Sequence, residues 1–251
     1  MEGKPLTPPF PHAGELAALG TACCWTVTSM AFEAAGKRVG SLSVTLIRLV
    51  IAAVFLALFG AVTRGLALPT DATAHAWLWL GLSGLVGFTF GDLCLFRAFV
   101  VLGARLSVLL MSLTPLFGAA IGYAFLGEKL APLDLVGIAV TLTGVAWVVL
   151  ERPADELPED RRARIVGVLL GIGGALGQAI GLVLSKHGMG DYDAFAATQI
   201  RVFAGIAGFS VLFLVIGWWP KVFAAVRQPR AMAFTGLGAF AGPFLGVSLS
   251  L

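Results

Sequence analysis

Charged residues are scarce in this chain. Only 12% of its 251 residues are Asp, Glu, Lys or Arg, where a soluble domain carries about 25%. That shortage excludes an ordinary water-soluble globule. The net charge of +3 is small and spread over connecting segments, so nothing resembles the basic patch that nucleic acid needs. Histidine occurs three times, at His12, His75 and His187, each at the end of an apolar run. His75 near Asp71 and His187 near Asp191 and Asp193 form the only clusters, and they are loop-like. No His-x3-His or His-Glu-x2-His spacing occurs, so the convergent groups of a membrane enzyme are missing. Cys23, Cys24 and Cys94 all lie inside apolar runs, which implies neither a disulfide framework nor a metal site. No cofactor motif is found. The ring of repeated polar groups that a channel wants is missing too.

What fills the chain instead is apolar: 58% of residues are hydrophobic, and 32 are glycine. Apolar spans lie near 14–35, 42–63, 76–100, 105–126, 132–150, 165–186, 193–218 and 231–251. Their lengths suit a hydrocarbon core of about 30 Å. The expected fold is therefore an all-α integral membrane protein with about eight transmembrane helices, and its first partner is the lipid bilayer. Residues 1–13 read as a short Pro-rich tail. The run after it is long for a signal peptide and its preceding charges are mixed, which favours a retained helix. Connections are short except at 151–164, where nine charged residues and two prolines crowd together. No segment inside a bilayer holds that density of charge, so this is a solvated linker and the internal boundary.

The sequences on either side of the linker resemble each other. With an offset of 153, Gly14, Gly20, Ala22, Thr45, Ile47 and Arg48 fall on Gly167, Gly173, Ala175, Thr198, Ile200 and Arg201. With an offset of 155, Gly81, Leu82, Gly87 and Gly91 fall on Gly236, Leu237, Gly242 and Gly246. The first unit, 14–150, holds five helices. Because five is odd, the second unit starts from the opposite membrane face, giving the inverted repeat common in secondary transporters. The second unit, 165–251, holds three helices, because Leu251 corresponds to Phe96. The expectation is a ten-helix (5+5) protein lacking its C-terminal part, about 54 residues by the repeat logic.

Several motifs carry a resemblance to a known family. They are Cys24-Trp-Thr-Val-Thr-Ser29, Arg48, Gly91-Asp92 with Phe96-Arg97-Ala98, Leu113-Thr114-Pro115, Leu126-Gly127-Glu128, and Gly137 with Gly144-Val145. On these the chain resembles the EamA-type transporters of the drug/metabolite transporter superfamily. The resemblance implies ten helices in two inverted five-helix repeats and export or uptake of small metabolites by alternating access. It implies a multi-pass protein of the plasma (inner) membrane of a bacterium and a small-molecule substrate.

The candidate cavity residues are Trp25, Thr28, Arg48, Asp92, Thr114, Pro115, Gln178 and Arg201. Asp92 lies deep in an apolar run, where a carboxylate must pair, protonate or face water. It either couples to a proton or cation, or pairs with Arg97, Arg105 or Arg48. Arg48 and Arg201 lie within two turns of their helix starts. They either snorkel to the interface or serve a substrate carboxylate or gate. Trp25 and Gln178 correspond under the repeat and, with Thr28, either line the cavity or bond a neighbouring helix. Thr114-Pro115 and Gly242-Pro243 interrupt their helices, since proline removes a donor and clashes one turn back. Small residues four apart, at Gly87/Gly91, Gly118/Gly122, Gly173/Gly177/Gly181 and Gly238/Gly242/Gly246, permit close helix packing. Glu128 reads as a solvated cap or hinge. Glu33 reads as interfacial, beside Lys37. Two orientation arguments conflict. The basic residues place the N-terminus outside the cytoplasm, and the family resemblance implies a cytoplasmic N-terminus.

Overall fold

A computed structural model describes residues 13–126, 131–151 and 158–242. The expected hinge around Glu128, residues 152–157 of the linker, Pro243 and Gly246 lie outside them. Every regular element among the described residues is helical. The first half holds α1 (Ala13–Val39), α2 (Ser41–Thr63) and α3 (Ala74–Gly84). A π stretch, Leu85–Gly91, leads on into α4 (Asp92–Leu102). Then follow α5 (Ala104–Met111), α6 (Thr114–Leu126) and α7 (Pro132–Leu150). The second half holds α8 (Pro158–Met189), α9 (Ala194–Ile216), α10 (Trp219–Val226) and α11 (Pro229–Ala239).

Among the described residues, six helical stretches are long and apolar enough to cross a membrane: 41–63, 74–102, 104–124, 132–150, 161–189 and 194–216. Each matches an expected span to within a few residues. The first expected span is the 27-residue α1, which carries more polar groups and is not one of the six. The last expected span is described only as far as Gly242. The chain is thus a multi-pass, all-α membrane protein.

Sequence chemistry accounts for the breaks. Gly103 sits at φ 82°, a backbone that a side chain disfavours, and it forms the hinge that separates α4 from α5. Glu33 on α1 closes that gap: its carboxylate accepts from the Ala104 amide at 3.0 Å and pairs with Lys37 at 2.5 Å. It is therefore a cap for α5 as well as an interfacial charge. The interruption near Pro115 falls just upstream, at Ser112–Leu113, next to the Met111 carbonyl four residues back that the proline ring would meet. There the Ser112 and Leu113 amides turn back to Leu109 and Leu110. The linker is shorter than its charge suggests. Helix α8 is already formed at Pro158, and Arg164 donates to the Val149 carbonyl at 2.9 Å, tying the end of α7 to α8. Sequence reading passed over α10, whose Val222 and Ala225 are buried while Phe223 and Val226 are exposed. A short helix of that kind suits the bilayer interface.

The packing is reciprocal between the halves. Helix α1 packs most extensively on α11, α8 on the α3–π–α4 rod, and α2 on α9. The glycines make the α8 contact possible. A Cβ on Gly177 would lie 2.9 Å from Gly91 Cα, and one on Gly181 would lie 2.9 Å from Gly87 Cα. Between α1 and α11, Thr28 and Phe32 press on Gly242 and Gly238. Gly118, Gly137 and Gly144, by contrast, have open space around them.

Candidate functional site

Four of the expected residues meet inside the helix bundle. Asp92 follows the π stretch directly and is only 2% exposed. Its amide donates to the Gly87 and Thr89 carbonyls, so the wide turn positions it. Short π segments of this kind recur at functional sites. Arg48 on α2, 8% exposed, forms an ion pair with the Asp92 carboxylate. Gln178 on α8 donates to the other Asp92 oxygen at 2.9 Å, and its Nε2 also reaches the Gly87 carbonyl at 3.3 Å. Arg201 on α9 is also 8% exposed, and its Nη2 and the Gln178 Oε1 both lie beside Gly87.

Aromatic faces close the site. The Arg48 guanidinium lies 5.0 Å from the Phe96 ring centroid and 5.6 Å from that of Phe32. Arg201 lies 4.9 Å from the Phe88 centroid. Such contacts stabilise a desolvated guanidinium by about 2 kcal/mol. Arg201 also reaches the π stretch: a Cβ on Gly87 would sit at ordinary contact distance, 3.5 Å, from its Nη2. Burying charge is costly in a membrane. Here three charged side chains are taken from water together, and Nε of both arginines is left without a hydrogen-bond partner.

The sequence expectations fare unevenly as geometry. Among the three proposed partners for Asp92, it is Arg48 that pairs with it, whereas Arg97 and Arg105 are exposed. The arginines do not snorkel: both turn inward despite their places early in their helices. Thr28 bonds backbone, at 2.8 Å to the Cys24 carbonyl and 3.2 Å to the Gly238 carbonyl, so it joins α1 to α11. Trp25 is 46% exposed and is not among the residues bonded in the cluster. Pro115 is exposed, and the buried Thr114 hydroxyl has no partner. Sequence reading missed Phe32, Phe88 and Phe96. Phe96 was visible one helical turn after Asp92, on the same face.

At the membrane face where α2 and α8 end, a second cluster joins the halves. Tyr192 donates to Asp71 at 2.8 Å. Arg64 pairs with Asp71 at 2.5 Å and its Nε lies 3.8 Å from Asp193. The hydrogen bond from Tyr192, with the Arg64 charge adding to it, holds the Asp71 carboxyl below its usual range. Burial, with the bond to Asp71 adding to it, pushes the Tyr192 phenol up. Beside this cluster a concavity of about 390 Å³ is lined by residues that include His75 and His187.

A multi-helix membrane protein with a buried ionic cluster linking its two halves is the class that fold and site define. The sequence pattern of the EamA-like transporter family matches residues 12–150, more than half of the chain, and the protein belongs to that family. Membership supports a membrane transporter of small molecules and not an enzyme. A solved crystal structure of a protein superposes with a TM-score of 0.55 at 19% identity, covering 96% of this chain and 84% of that one. That likeness shows a shared fold. No curated protein matches the chain.

Proposed function

We propose that this chain is a secondary transporter of small metabolites, working by alternating access between two inverted units in the plasma (inner) membrane of a bacterium. Residues 14–150 form the first five-helix unit of a ten-helix design, and 165–251 are three helices of its inverted counterpart. The observation that carries this reading is the Arg48–Asp92–Gln178 cluster with Arg201 beside it. It draws one element from each of α2, α4, α8 and α9 and lies within the bundle, where transporters of this design place their sites. The reciprocal packing of α1 on α11 and α8 on the α3–π–α4 rod supports the inverted relation. So do the ends of α2 and α8, which meet at one membrane face through Arg64, Asp71 and Tyr192.

In this reading Arg48, Asp92, Gln178 and Arg201 form the gate between the halves. Exchanging the Asp92–Arg48 pair for other partners separates or joins α4 and α2. Trp25, Thr28, Thr114 and Pro115 flank the path on α1 and at the α5–α6 break. Counterflow of labelled metabolites into vesicles containing purified protein tests the proposal. Saturable uptake that Asp92→Asn or Arg48→Gln abolishes is expected. Uptake at the level of protein-free vesicles across an amino acid, carboxylate and amine panel would refute it.

A further inference from the structure

The buried cluster is not electrically balanced. Two buried guanidiniums accompany one buried carboxylate: Arg48 pairs with Asp92, Arg201 lies beside Gly87 together with Gln178, and Gln178, which bonds Asp92, is neutral. If all three ionise, one positive charge is left over inside a membrane protein. An unpaired buried charge is far costlier than a paired one. The donors are unbalanced too. Asp92 already accepts from Arg48 on one oxygen and Gln178 on the other, while Nε of Arg48 and Nε of Arg201 are buried without a partner. Arg201 lies over the Phe88 ring, is buried, and has its Nη2 beside Gly87. It is therefore a fixed, desolvated donor without a bonded anion.

From this we propose that the site takes a monoanionic carboxylate bearing an apolar body, with Arg201 as its principal anchor. The proposal rests on the transporter reading and names the substrate class of the same site. A single negative charge neutralises the excess, whereas a phosphate dianion would overshoot it and leave a net negative site. A planar carboxylate matches the guanidinium fork in two parallel hydrogen bonds. Phe32, Phe88 and Phe96, already against the two guanidiniums, present the apolar surroundings that suit a hydrocarbon or aromatic body. A free amine is disfavoured, because it would meet two cations for one anion.

The experiment is ligand-induced thermal stabilisation and saturation binding on detergent-purified protein, followed by counterflow with the same compounds. The probes are benzoate and hexanoate, phenylalanine as zwitterion, phenethylamine as cation, phosphate, and chloride. Benzoate or hexanoate should stabilise saturably, and phenethylamine and phosphate should not. Arg201→Gln should weaken carboxylate binding at least about 10-fold, as losing a charged hydrogen bond predicts, and Arg201→Lys should restore part of it. Asp92→Asn removes the competing negative charge, so it should tighten carboxylate binding, a change of sign that a merely structural role would not produce. Should Arg201→Gln fail to fold, the ranking of ligands on the native protein still decides. Stabilisation by phenethylamine or phenylalanine without benzoate or hexanoate, equal stabilisation by chloride, or none by any probe would overturn the carboxylate assignment. Uptake of an amine without carboxylates would overturn it while leaving the transporter reading intact. Tight carboxylate binding with no counterflow would sustain the site and defeat the transporter reading instead.

Discussion

The Gln178 side chain donates to the Asp92 carboxylate at 2.9 Å, joining the residue after the π stretch to a helix from the other half of the chain. Its second contact, the Gly87 carbonyl at 3.3 Å, lies inside that stretch. Replacing Gln178 with Leu leaves both acceptors short of a donor in a buried setting. The expected loss is about 1–3 kcal/mol, read as a lower melting temperature of the purified protein.

Asp92 and Arg48 depend on each other more strongly. Asp92→Asn leaves a buried guanidinium without its counter-ion, and breaking such a pair costs about 3–5 kcal/mol. Arg48→Gln does the same to the carboxylate. The double variant should lose less than the sum of the two, with a coupling of about 0.5–3 kcal/mol in a double-mutant cycle. Strict additivity would show that the two side chains do not interact.

Glycine substitutions should divide by position. Gly177→Ala and Gly181→Ala place a methyl group within 2.9 Å of the facing backbone and should destabilise by about 1–3 kcal/mol, as overpacking does. Gly118→Ala and Gly137→Ala, with open space around them, should be neutral or gain up to about 1 kcal/mol from helix propensity. Melting curves of the four variants check the contrast.

Glu33 caps the start of α5 across the Gly103 hinge. Glu33→Ala should cost about 1 kcal/mol, the usual size of a lost cap. The effect should persist when Lys37 is replaced by Met, which separates capping from the ion pair. If Lys37→Met reproduced the whole loss, the cap would not be its source.

The Asp71–Tyr192 contact sets a pH window. Asp71 has its carboxyl lowered by the Tyr192 bond first and Arg64 second. Its contribution is therefore present above pH about 4, the ordinary aspartate range, and fades as pH falls through the depressed value. Tyr192 is raised, so its contribution is present below pH about 10 and fades above. Tyr192→Phe should remove the alkaline fall-off and weaken the acidic one. Thermal stability across pH 3 to about 11 measures both edges.

The sequence made the spans legible because each is a long apolar run bounded by glycine, proline or charge, and bilayer thickness fixes their length. The repeat made Arg48 and Arg201 legible as a pair, since two intramembrane arginines in register stand out from a background of Gly, Ala and Leu. The partner of Asp92 was less legible. Three arginines were candidates, and which one meets it depends on how α2 is turned against α4, information held in tertiary packing. The inward turn of both arginines was hidden for the same reason, because a helix-end position alone favours the interface. The lengthened α8 was masked by its own charges, which read as linker although they continue a helix beyond the membrane. The backbone role of Thr28 and the half-exposed position of Trp25 depend on which helix neighbours α1, and one helix's sequence does not name its neighbour.

The π stretch over 85–91 has a consequence for the register of everything after it. A π turn holds about one more residue than an α turn, and each residue of an α-helix turns the chain by about 100°. Restoring ordinary α geometry there would swing Asp92, Phe96 and Phe99 around the helix axis together without unwinding α4. Asp92 would leave Gln178 and Arg48, and Phe96 would leave the guanidinium. The acid is thus aimed by the seven-residue stretch directly before it as much as by its partners, so a change of one hydrogen-bonding step in that stretch disconnects α4 from both Arg48 and Gln178 at once.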